Sequence, residues 1–404
     1  MIKQFSLFFC TLFMLFDAFA QQDIVGKVLT QESSKPISFA SIYINNTSIG
    51  TSSNEQGSFV IKNLKNKINE LVITAVGYET VSLQIQLPLE KDLIITMKPK
   101  AIEIEEIVVL GYVKDGWQKW GVFFTESILG LGYHAEKTSI ENPEVVQFRY
   151  DKNAKLLTAI CSAPLKIKND ELGYLLTYDL TDFQMDFKEN RLYFEGFAFF
   201  EDIGNNKSKF KKARKETYDI SLMKFIRSTY QQRWEEDGYI VRKLVKKDNL
   251  VRLEALSTYK KLTDIVQKEY RNNWKLFYLS QKEYTEAQVS ALQHQMRQPE
   301  KISYLMGIIS TQDIIISEDV TQQWKEIRFD DFLYLIYPSE FQKSKNKMLK
   351  AAASQVSEIE LLSGRNLIID ASGNFFPANQ VVFNGYMVNY SKLAFLLPLD
   401  YQEN

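Results

Sequence analysis

The sequence predicts a mainly β protein in which an N-terminal seven-stranded β-sandwich precedes a larger β-rich α+β domain. Between residues 24 and 97, short runs of alternating apolar and polar residues are separated by turn residues, which is typical of a sandwich of short strands. The chain also contains 27 Phe and 21 Tyr, whose flat side chains pack well on a pleated sheet. With 45% hydrophobic and 25% charged residues, it has the composition of a chain that buries an ordinary core.

The strands of the first domain are bounded by turn residues, and one turn is specified in detail. Asn54 opens this turn and Gly57 closes it, which is typical of a type I turn leading into the next strand of a hairpin. The spacing predicts six or seven strands, of which six span residues 24–29, 40–45, 57–61, 71–76, 81–87 and 93–97.

Several motifs of the first domain occur in a recognisable order. They are Val25-Gly26-Lys27-Val28, Lys35-Pro36-Ile37, Ala40-Ser41-Ile42, the stretch from Gly50 to Phe59, and Val76-Gly77-Tyr78-Glu79. Together they resemble the carboxypeptidase regulatory-like domain. The resemblance covers about a fifth of the chain. It implies a prealbumin-like, immunoglobulin-type β-sandwich and an exported envelope protein of a Gram-negative bacterium, but it implies no activity.

Residues 1–20 have the features of a signal peptide. Lys3 supplies a positive end, residues 5–16 are apolar, and Ala18 and Ala20 are the small residues that precede a cleavage site. An uncleaved anchor is the alternative. The apolar run is shorter than the roughly 18 to 20 residues that a spanning helix needs, and no later run reaches that length. We therefore expect an exported chain without a transmembrane helix, in the periplasm or peripherally associated with the outer membrane.

The predicted domains are residues 21–98, a linker at 99–116, and residues 117–404. Within the linker, residues 102–109 alternate acidic with β-branched side chains. In outer-membrane transporters with the same leading module, a similar stretch lies near the segment that engages the energy-coupling protein. Only about 290 residues follow here, too few for a plug and a 22-stranded barrel whose strands take about 9 to 11 residues each. A linker or an additional strand is therefore the preferred interpretation.

The second domain is predicted to mix strands with a few helices. Helices are predicted around 117–128, ended by Gly130 and Gly132, and at 210–234 and 283–296. The predicted strands span residues 145–150, 155–161, 165–167, 174–187, 191–200, 239–245, 250–256, 275–279, 314–316, 332–337 and 359–362, with a hairpin at 366–376.

The chain has 49 basic and 50 acidic residues and therefore a net charge of -1. This near-neutral charge argues against a protein that binds polyanions over its whole surface. Locally, residues 207–275 contain 19 Lys and Arg against 9 Asp and Glu. Such a region can face anionic lipid or polysaccharide, and the alternative is a solvated helix face. Nucleic acid is not an expected partner of an exported chain.

The family name suggests a zinc peptidase, but the expected ligands are missing. Only His134 and His294 exist, and Glu136 stands two residues after the first, where the carboxypeptidase pattern needs His-x-x-Glu and a later His. Cys161 is the one cysteine left after signal cleavage, so the mature chain forms no internal disulfide. Cys161 lies in an apolar, strand-like run. We expect a buried, inert thiol rather than a nucleophile.

Two further sets of side chains are candidates for glycan binding or catalysis. Trp117 and Trp120 can stack on sugar rings, although tryptophans at helical spacing usually belong to a core. The acidic runs 235–237 and 330–331 can supply the two carboxylates of a glycoside hydrolase only if they come within roughly 5 to 10 Å of each other.

The sequence therefore predicts no catalytic, cofactor-binding or metal-binding residues and no cofactor. Three hypotheses remain. The preferred one is a non-catalytic exported envelope protein, a structural or adaptor protein that binds another envelope protein, with strand addition at an exposed sheet edge as one route. The second is a protein that binds a surface glycan or lipid, and the third is a hydrolase.

Overall fold

The computed structural model describes residues 22–64, 68–100, 111–204, 207–280, 283–321, 323–337, 355–362 and 365–403. The predicted signal peptide at 1–20 and most of the predicted linker lie outside these residues. The described residues form two compact units. The first comprises those within 1–116, 142–166 and 175–202, and the second those within 117–141, 167–174 and 203–404.

The amino-terminal part of the first unit is a sandwich of seven strands, as predicted. The strands pair in two sheets of order β4-β1-β7 and β3-β2-β5-β6. Their bounds are β1 (Gln22–Thr30), β2 (Ser41–Ile44), β3 (Gly50–Ser52), β4 (Ser58–Leu64), β5 (Ile68–Thr74), β6 (Val81–Gln86) and β7 (Leu93–Met97).

The sandwich is held by the apolar faces of its alternating strands. Ile24, Ile42, Leu71 and Met97 are completely buried members of one core cluster. The predicted turn before β4 is present: the N–H of Gly57 donates to the Asn54 carbonyl at 2.9 Å. The side-chain amide oxygen of Asn54, Oδ1, also accepts from the N–H of Ser58 at 2.9 Å.

Six strands follow between residues 138 and 202. They are β8 (Thr138–Ile140), β9 (Val146–Asp151), β10 (Leu156–Cys161), β11 (Leu165–Asn169), β12 (Tyr174–Asp186) and β13 (Arg191–Asp202). In the first unit, β10 pairs antiparallel with both β9 and β12, and β13 pairs with β12. In the second unit, β8 pairs with residues 167–169 of β11. The predicted strands of this region are confirmed.

Strand β13 also contacts the turn between β2 and β3 of the sandwich. The N–H of Ala198 donates to Asn45 Oδ1 at 2.9 Å, and the N–H of Phe200 donates to the Thr47 carbonyl at 3.0 Å. The Phe199 ring packs against Tyr43, with ring centroids 5.2 Å apart. The sandwich and β13 therefore share one compact unit.

The second unit begins with the predicted tryptophan helix, α1 (Gly116–Leu129). Phe124 and Ile128 are completely buried, and Gly130 ends the helix with φ +90°. A short helix, α2 (Tyr133–Glu136), follows.

The helix predicted at 210–234 is wrong in its extent, because the chain forms two helices there. They are α3 (Ser208–Ile220) and α4 (Leu222–Gln231). Ser221 interrupts the helix with extended backbone and caps α4 by accepting from the N–H of Lys224 at 3.1 Å. Gln232 then ends α4 in the left-handed conformation.

The remaining strands form two antiparallel sheets, of order β15-β14-β18-β19-β22 and β16-β17-β20-β21. Apolar side chains of both sheets and of α4 share one core, in which Leu335 and Ile369 are completely buried. The strands are β14 (Ile240–Asp248), β15 (Lys301–Ile308), β16 (Ile315–Asp319), β17 (Trp324–Ile327), β18 (Phe332–Ile336), β19 (Val356–Leu361), β20 (Leu367–Asp370), β21 (Phe375–Phe376) and β22 (Val381–Gly385).

Strands predicted at 250–256 and 275–279 are wrong, because both segments are helical. Three helices separate β14 from β15: α5 (Leu250–Tyr270), α6 (Trp274–Ser280) and α7 (Glu286–Met296). Asn249 caps α5 by accepting from the N–H of Arg252 at 3.2 Å. Leu262, Val266, Phe277 and Val289 form a separate small core in this helical insertion.

The chain ends with a short helix, α8 (Tyr386–Tyr390), followed by a 3-10 turn at Leu393–Phe395. Among the described helices, none combines the length and the hydropathy that crossing a bilayer requires. The structure confirms the fold class: a seven-stranded β-sandwich followed by a β-rich α+β region.

Candidate functional site

The most unusual surface of the second unit is the edge strand β15. Its neighbour β14 pairs with it on one side, and the strand order places β15 at the end of its sheet. All eight residues are exposed, including five large apolar ones: Ile302, Tyr304, Leu305, Met306 and Ile308, with exposed fractions from 40 to 73%. A strand normally buries at least one face, so the described residues leave both faces of β15 uncovered.

The hydrogen-bonding direction of β15 follows from the pairing just outside the strand. The N–H of Asn249 donates to the Glu300 carbonyl at 2.8 Å, so these two residues are a hydrogen-bonded pair. In the antiparallel register Asp248 is opposite Lys301, and pair types alternate along such a ladder. The backbone N–H and C=O groups of Lys301, Ser303 and Leu305 therefore point away from β14. No described residue hydrogen-bonds to that outer edge.

A β-bulge ends the regular part of this edge. The register with β14 shifts by one residue between Leu305 and Ile308. Arg242 stabilises the bulge, because its Nε donates to the Met306 carbonyl at 2.7 Å. Gly307 lies in open space, where an added Cβ would meet no atom within 4 Å. The regular, pairing-competent segment is thus Lys301 to Leu305.

The side chains around this edge are apolar and basic. Lys247 lies directly opposite Ile302, and its ammonium group is 6.0 Å from the centre of the Tyr304 ring. Lys246 and Lys243 are already paired, with Glu358 at 2.5 Å and Asp331 at 3.0 Å. Neither Lys247 nor Lys301 has a carboxylate within 4.0 Å among the described residues, so both charges face solvent.

The start of α5 extends the apolar surface beside β15. Asn249 joins the two elements, since its side-chain Nδ2 donates to the Pro299 carbonyl at 3.1 Å while its Oδ1 caps the helix. Leu250, Val251 and Leu253 in the first turn are all exposed. Several apolar side chains of the two elements are therefore accessible in the described structure.

The two tryptophans of α1 are partly exposed, and each contacts another aromatic ring of the same helix. Trp117 and Trp120 are half-buried. The Trp117 ring lies over Gly121, where an added Cβ would be 2.8 Å from the indole, and packs edge-on against Phe124 at 6.2 Å. Trp120 contacts Phe123 in the same manner at 6.3 Å. Both rings therefore use part of their surface within their own helix.

The two histidines lie in different surroundings. His134 is buried in α2, where its ring packs on Phe395 at 5.0 Å and its Nδ1 has no hydrogen-bond partner among the described residues. Burial lowers the pKa of His134 to about 4, so the imidazole is neutral at pH 7. His294 is exposed on α7.

Cys161 lies at the end of β10 and is half-buried. Burial, with a smaller contribution from the negative charge of Asp179, raises the pKa of its thiol to about 12. The thiolate that a nucleophile or a metal ligand requires is therefore scarce at neutral pH.

The candidate acids take part in local ion pairs. Arg233 binds Glu236 at 2.9 Å and Asp237 at 3.1 Å in the turn after α4. Asp331 pairs with Lys243 at 3.0 Å. No described group of three or more His, Cys, Asp or Glu side chains is arranged to hold a metal ion.

Part of the basic region has a structural role. Arg214 of α3 is buried, and its Nε donates to the Leu172 carbonyl at 2.8 Å while its guanidinium lies 3.9 Å from the centre of the Tyr174 ring. Lys215 pairs with Glu403. Lys211 and Lys212 are exposed on the same helix.

An apolar cavity of about 20 Å³ lies in the shared core between α4 and the two sheets. Leu222, Ile327, Leu361 and Phe383 are among the residues that line it. A cavity of this volume holds about one water-sized molecule. Its lining contains no carboxylate, and the cavity is too small for a substrate pocket.

The sequence reasoning missed β15 altogether. A signal was present, because Ile302, Tyr304, Met306 and Ile308 alternate with other residues in the period of a strand. The exposure of β15 was not predictable from that pattern, since alternation usually indicates that one face is buried.

One family model matches the amino-terminal part of the chain. Residues 24–109 match the CarboxypepD_reg-like domain family model. The TonB-dependent receptor SusC of Bacteroides thetaiotaomicron is 26% identical over 112 residues, which are 28% of this chain and 11% of SusC. The chain thus aligns with about a tenth of that receptor.

Among solved structures, a protein of unknown function from Bacteroides fragilis aligns over 87% of this chain and 93% of its own. The identity is 7% and the TM-score 0.16, which is too low to support a shared fold. The match of the family model agrees with the motifs and with the seven strands of the sandwich. Residues 24–109 are therefore a carboxypeptidase regulatory-like domain.

Proposed function

We propose that this chain is an exported, non-catalytic envelope protein that acts as an adaptor by binding another protein. The observation that carries the proposal is β15: an eight-residue edge strand with five exposed large apolar side chains and an open row of backbone groups. Such edges are templates for the strands of other chains, and monomeric proteins normally cover or shorten them.

The compartment is supported by the amino-terminal sequence. Residues 1–20 have the pattern of a signal peptide, residues 24–109 match a regulatory-like domain, and 112 residues of the chain align with part of a TonB-dependent receptor. We propose that the mature chain resides in the periplasm or is peripherally associated with the outer membrane.

The non-catalytic part of the proposal is supported by the state of the candidate groups. The Cys161 thiol has a raised pKa, His134 is buried against Phe395, and the acids near Arg233 are bound in ion pairs. None of these groups lies in the cavity of the second unit. Each has a structural explanation that does not require catalysis.

Site-specific photo-crosslinking in the cells that produce the protein tests this function. A photoreactive phenylalanine analogue replaces Tyr304 on β15 or, as a control, Val320, which is exposed on the separate β16–β17 hairpin. We expect one reproducible protein adduct from position 304 and none from 320. Absence of any adduct from position 304, with normal expression and export, would contradict the proposal.

A further inference from the structure

We propose that the outer edge of β15 binds an extended, acidic peptide segment of the partner protein, as an added strand centred on Ser303. This inference rests on the adaptor function proposed above and specifies the chemistry of what is bound. It follows from the backbone geometry, the apolar side chains and the charge of the strand.

The backbone supplies three consecutive docking positions. Lys301, Ser303 and Leu305 each direct one N–H donor and one C=O acceptor outward, as the pairing of Asn249 with Glu300 requires. A strand added along these residues can form up to about six hydrogen bonds, two at each position. The bulge at Met306 and Gly307 limits the added strand to about five to seven residues.

The side chains define the pattern that the peptide must have. Ile302 and Tyr304 lie on one face of β15, each directly opposite a β14 residue of the same face, Lys247 and Val245. Leu305 lies on the other face. An added strand places its alternate side chains beside these, so apolar, β-branched residues at every second position extend the apolar surface of one face.

Charge selects an acidic peptide over a second copy of this chain. Strands β14 and β15 carry Arg242, Lys243, Lys246, Lys247 and Lys301 against Asp248. Asp331 and Glu358 pair with two of these basic residues, Lys243 and Lys246. Lys247 and Lys301 have no carboxylate within 4.0 Å among the described residues. A second β15 would bring the same excess of positive charge to this edge, whereas glutamates of a peptide would complement it.

A peptide-binding experiment with the full mature chain tests the proposal. The probe is a fluorescent seven-residue peptide of alternating glutamate and valine, and its matched control has lysine in place of glutamate. A third peptide carries N-methyl groups at alternate residues, which removes the backbone donors without changing the charge. Fluorescence anisotropy at low and high salt measures the three affinities.

Two variants separate backbone pairing from side-chain effects. Ser303→Pro removes an outward N–H that β14 does not use, and Ser303→Ala retains it. Circular dichroism verifies that both variants fold. A double variant that combines Lys247→Glu with Lys301→Glu reverses the charge beside β15.

We expect the acidic peptide to bind about tenfold or more tightly than the lysine peptide at low salt, with a smaller difference at high salt. Ser303→Pro and N-methylation should each abolish binding, Ser303→Ala should not, and the charge reversal should invert the preference. Equal binding of the two peptides, or full binding to a folded Ser303→Pro protein, would overturn the inference.

The outcomes also separate this inference from the adaptor function. If position 304 crosslinks to a partner but no acidic peptide binds, the adaptor function stands and the acidic peptide is wrong. If light scattering shows a dimer that Ser303→Pro converts to a monomer, and no peptide binds, the occupant is a second copy and the inference is also wrong. Peptide binding without a cellular crosslink would contradict only the adaptor function.

Discussion

The side-chain amide of Asn389 makes both hydrogen bonds that the backbone of Leu131 offers. The Leu131 N–H donates to Asn389 Oδ1 at 2.7 Å, and Asn389 Nδ2 donates to the Leu131 carbonyl at 2.9 Å. This pair joins the end of α1 to α8 inside the second unit. Gly130 permits the approach, because a Cβ there would lie 2.9 Å from Asn389 Oδ1.

We expect Asn389→Asp to destabilise the second unit by about 1 to 2 kcal/mol, since an aspartate cannot donate to the Leu131 carbonyl. Urea unfolding monitored by fluorescence measures the change. Asn384→Ala, at an exposed position of β22, is the control and should change the unfolding free energy by less than about 0.5 kcal/mol. An Asn389→Asp protein as stable as its parent would show that this contact contributes little.

The buried guanidinium of Arg227 joins three segments of the second unit. Its Nε donates to the Ser372 carbonyl at 2.9 Å, and its Nη2 donates to the carbonyls of Leu399 and Tyr401, both at 3.0 Å. Arg227→Met should cost about 3 to 5 kcal/mol, because it removes three hydrogen bonds from a charged donor and leaves three carbonyls without that donor.

Limited proteolysis with mass spectrometry provides a local readout for Arg227. Residues 399–403 should become accessible to carboxypeptidase digestion in the Arg227→Met protein before global unfolding occurs. Arg233→Met is a matched control, because the exposed Arg233 after the same helix forms ion pairs with Glu236 and Asp237 and a hydrogen bond to Gln231, and its loss should cost about 0 to 1 kcal/mol. Equal protection in both variants would refute this role of Arg227.

His134 makes the stability of the protein depend on pH. Its folded pKa of about 4 is below the value of 6.5 that an exposed histidine has. Between these values the unfolded chain binds more protons, so stability falls as the pH drops below 6.5 and levels off below about 4. Between pH 7 and pH 5, we expect this group to account for a loss of about 2 kcal/mol.

Replacement of His134 by Phe should remove this component of the pH dependence, whereas replacement of the exposed His294 by Gln should leave it unchanged. Urea unfolding of the three proteins at pH 7 and pH 5 gives the comparison. If the parent and the His134→Phe protein lose equal stability between the two pH values, His134 is not the responsible group.

The sandwich was predictable because its local signals agree with its tertiary structure. The turn from Asn54 to Gly57 and the alternation in β1 specify strands whose apolar faces are buried by the same domain. Strands β9 to β13 were predictable for the same reason. Local pattern and packing supported each other in these regions.

The helical insertion was mispredicted because its local signals conflict. Leu250 to Leu256 contains the β-branched Val251, and the segment was interpreted as a strand. Ala255, Leu262 and Val266 recur at helical spacing, but this period becomes visible only over the full length of α5. The hydrogen bond that starts the helix, from the N–H of Arg252 to Asn249, depends on a capping residue just outside the predicted strand.

The exposure of β15 was not predictable, because exposure is a property of the assembled sheet. The sequence of β15 resembles that of a strand buried on one face, and its position at the edge depends on the pairing of β14 with β18. The sequence thus predicts strand addition as a route of binding, but it does not predict that β15 is the edge.

Asn45 should be required for the contact between the sandwich and β13. Its Oδ1 accepts from the N–H of Ala198 at 2.9 Å, and its Nδ2 donates to Glu70 at 2.7 Å. Asn45→Ala leaves the Ala198 N–H without this acceptor, which should cost about 1 to 3 kcal/mol. Hydrogen exchange should show faster exchange at Ala198 and Phe200 while the core amides of β5 remain protected.

Asn153→Ala is the control for this measurement, because Asn153 is exposed in the turn between β9 and β10 and its backbone N–H donates to Asp151 at 2.8 Å. It should leave exchange at Ala198 unchanged. If Asn45→Ala instead accelerates exchange throughout β5 and β13 equally, the sandwich and β13 unfold as one cooperative element. Unchanged exchange at Ala198 would show that the Phe199–Tyr43 ring contact and the Phe200–Thr47 hydrogen bond hold the strand without Asn45.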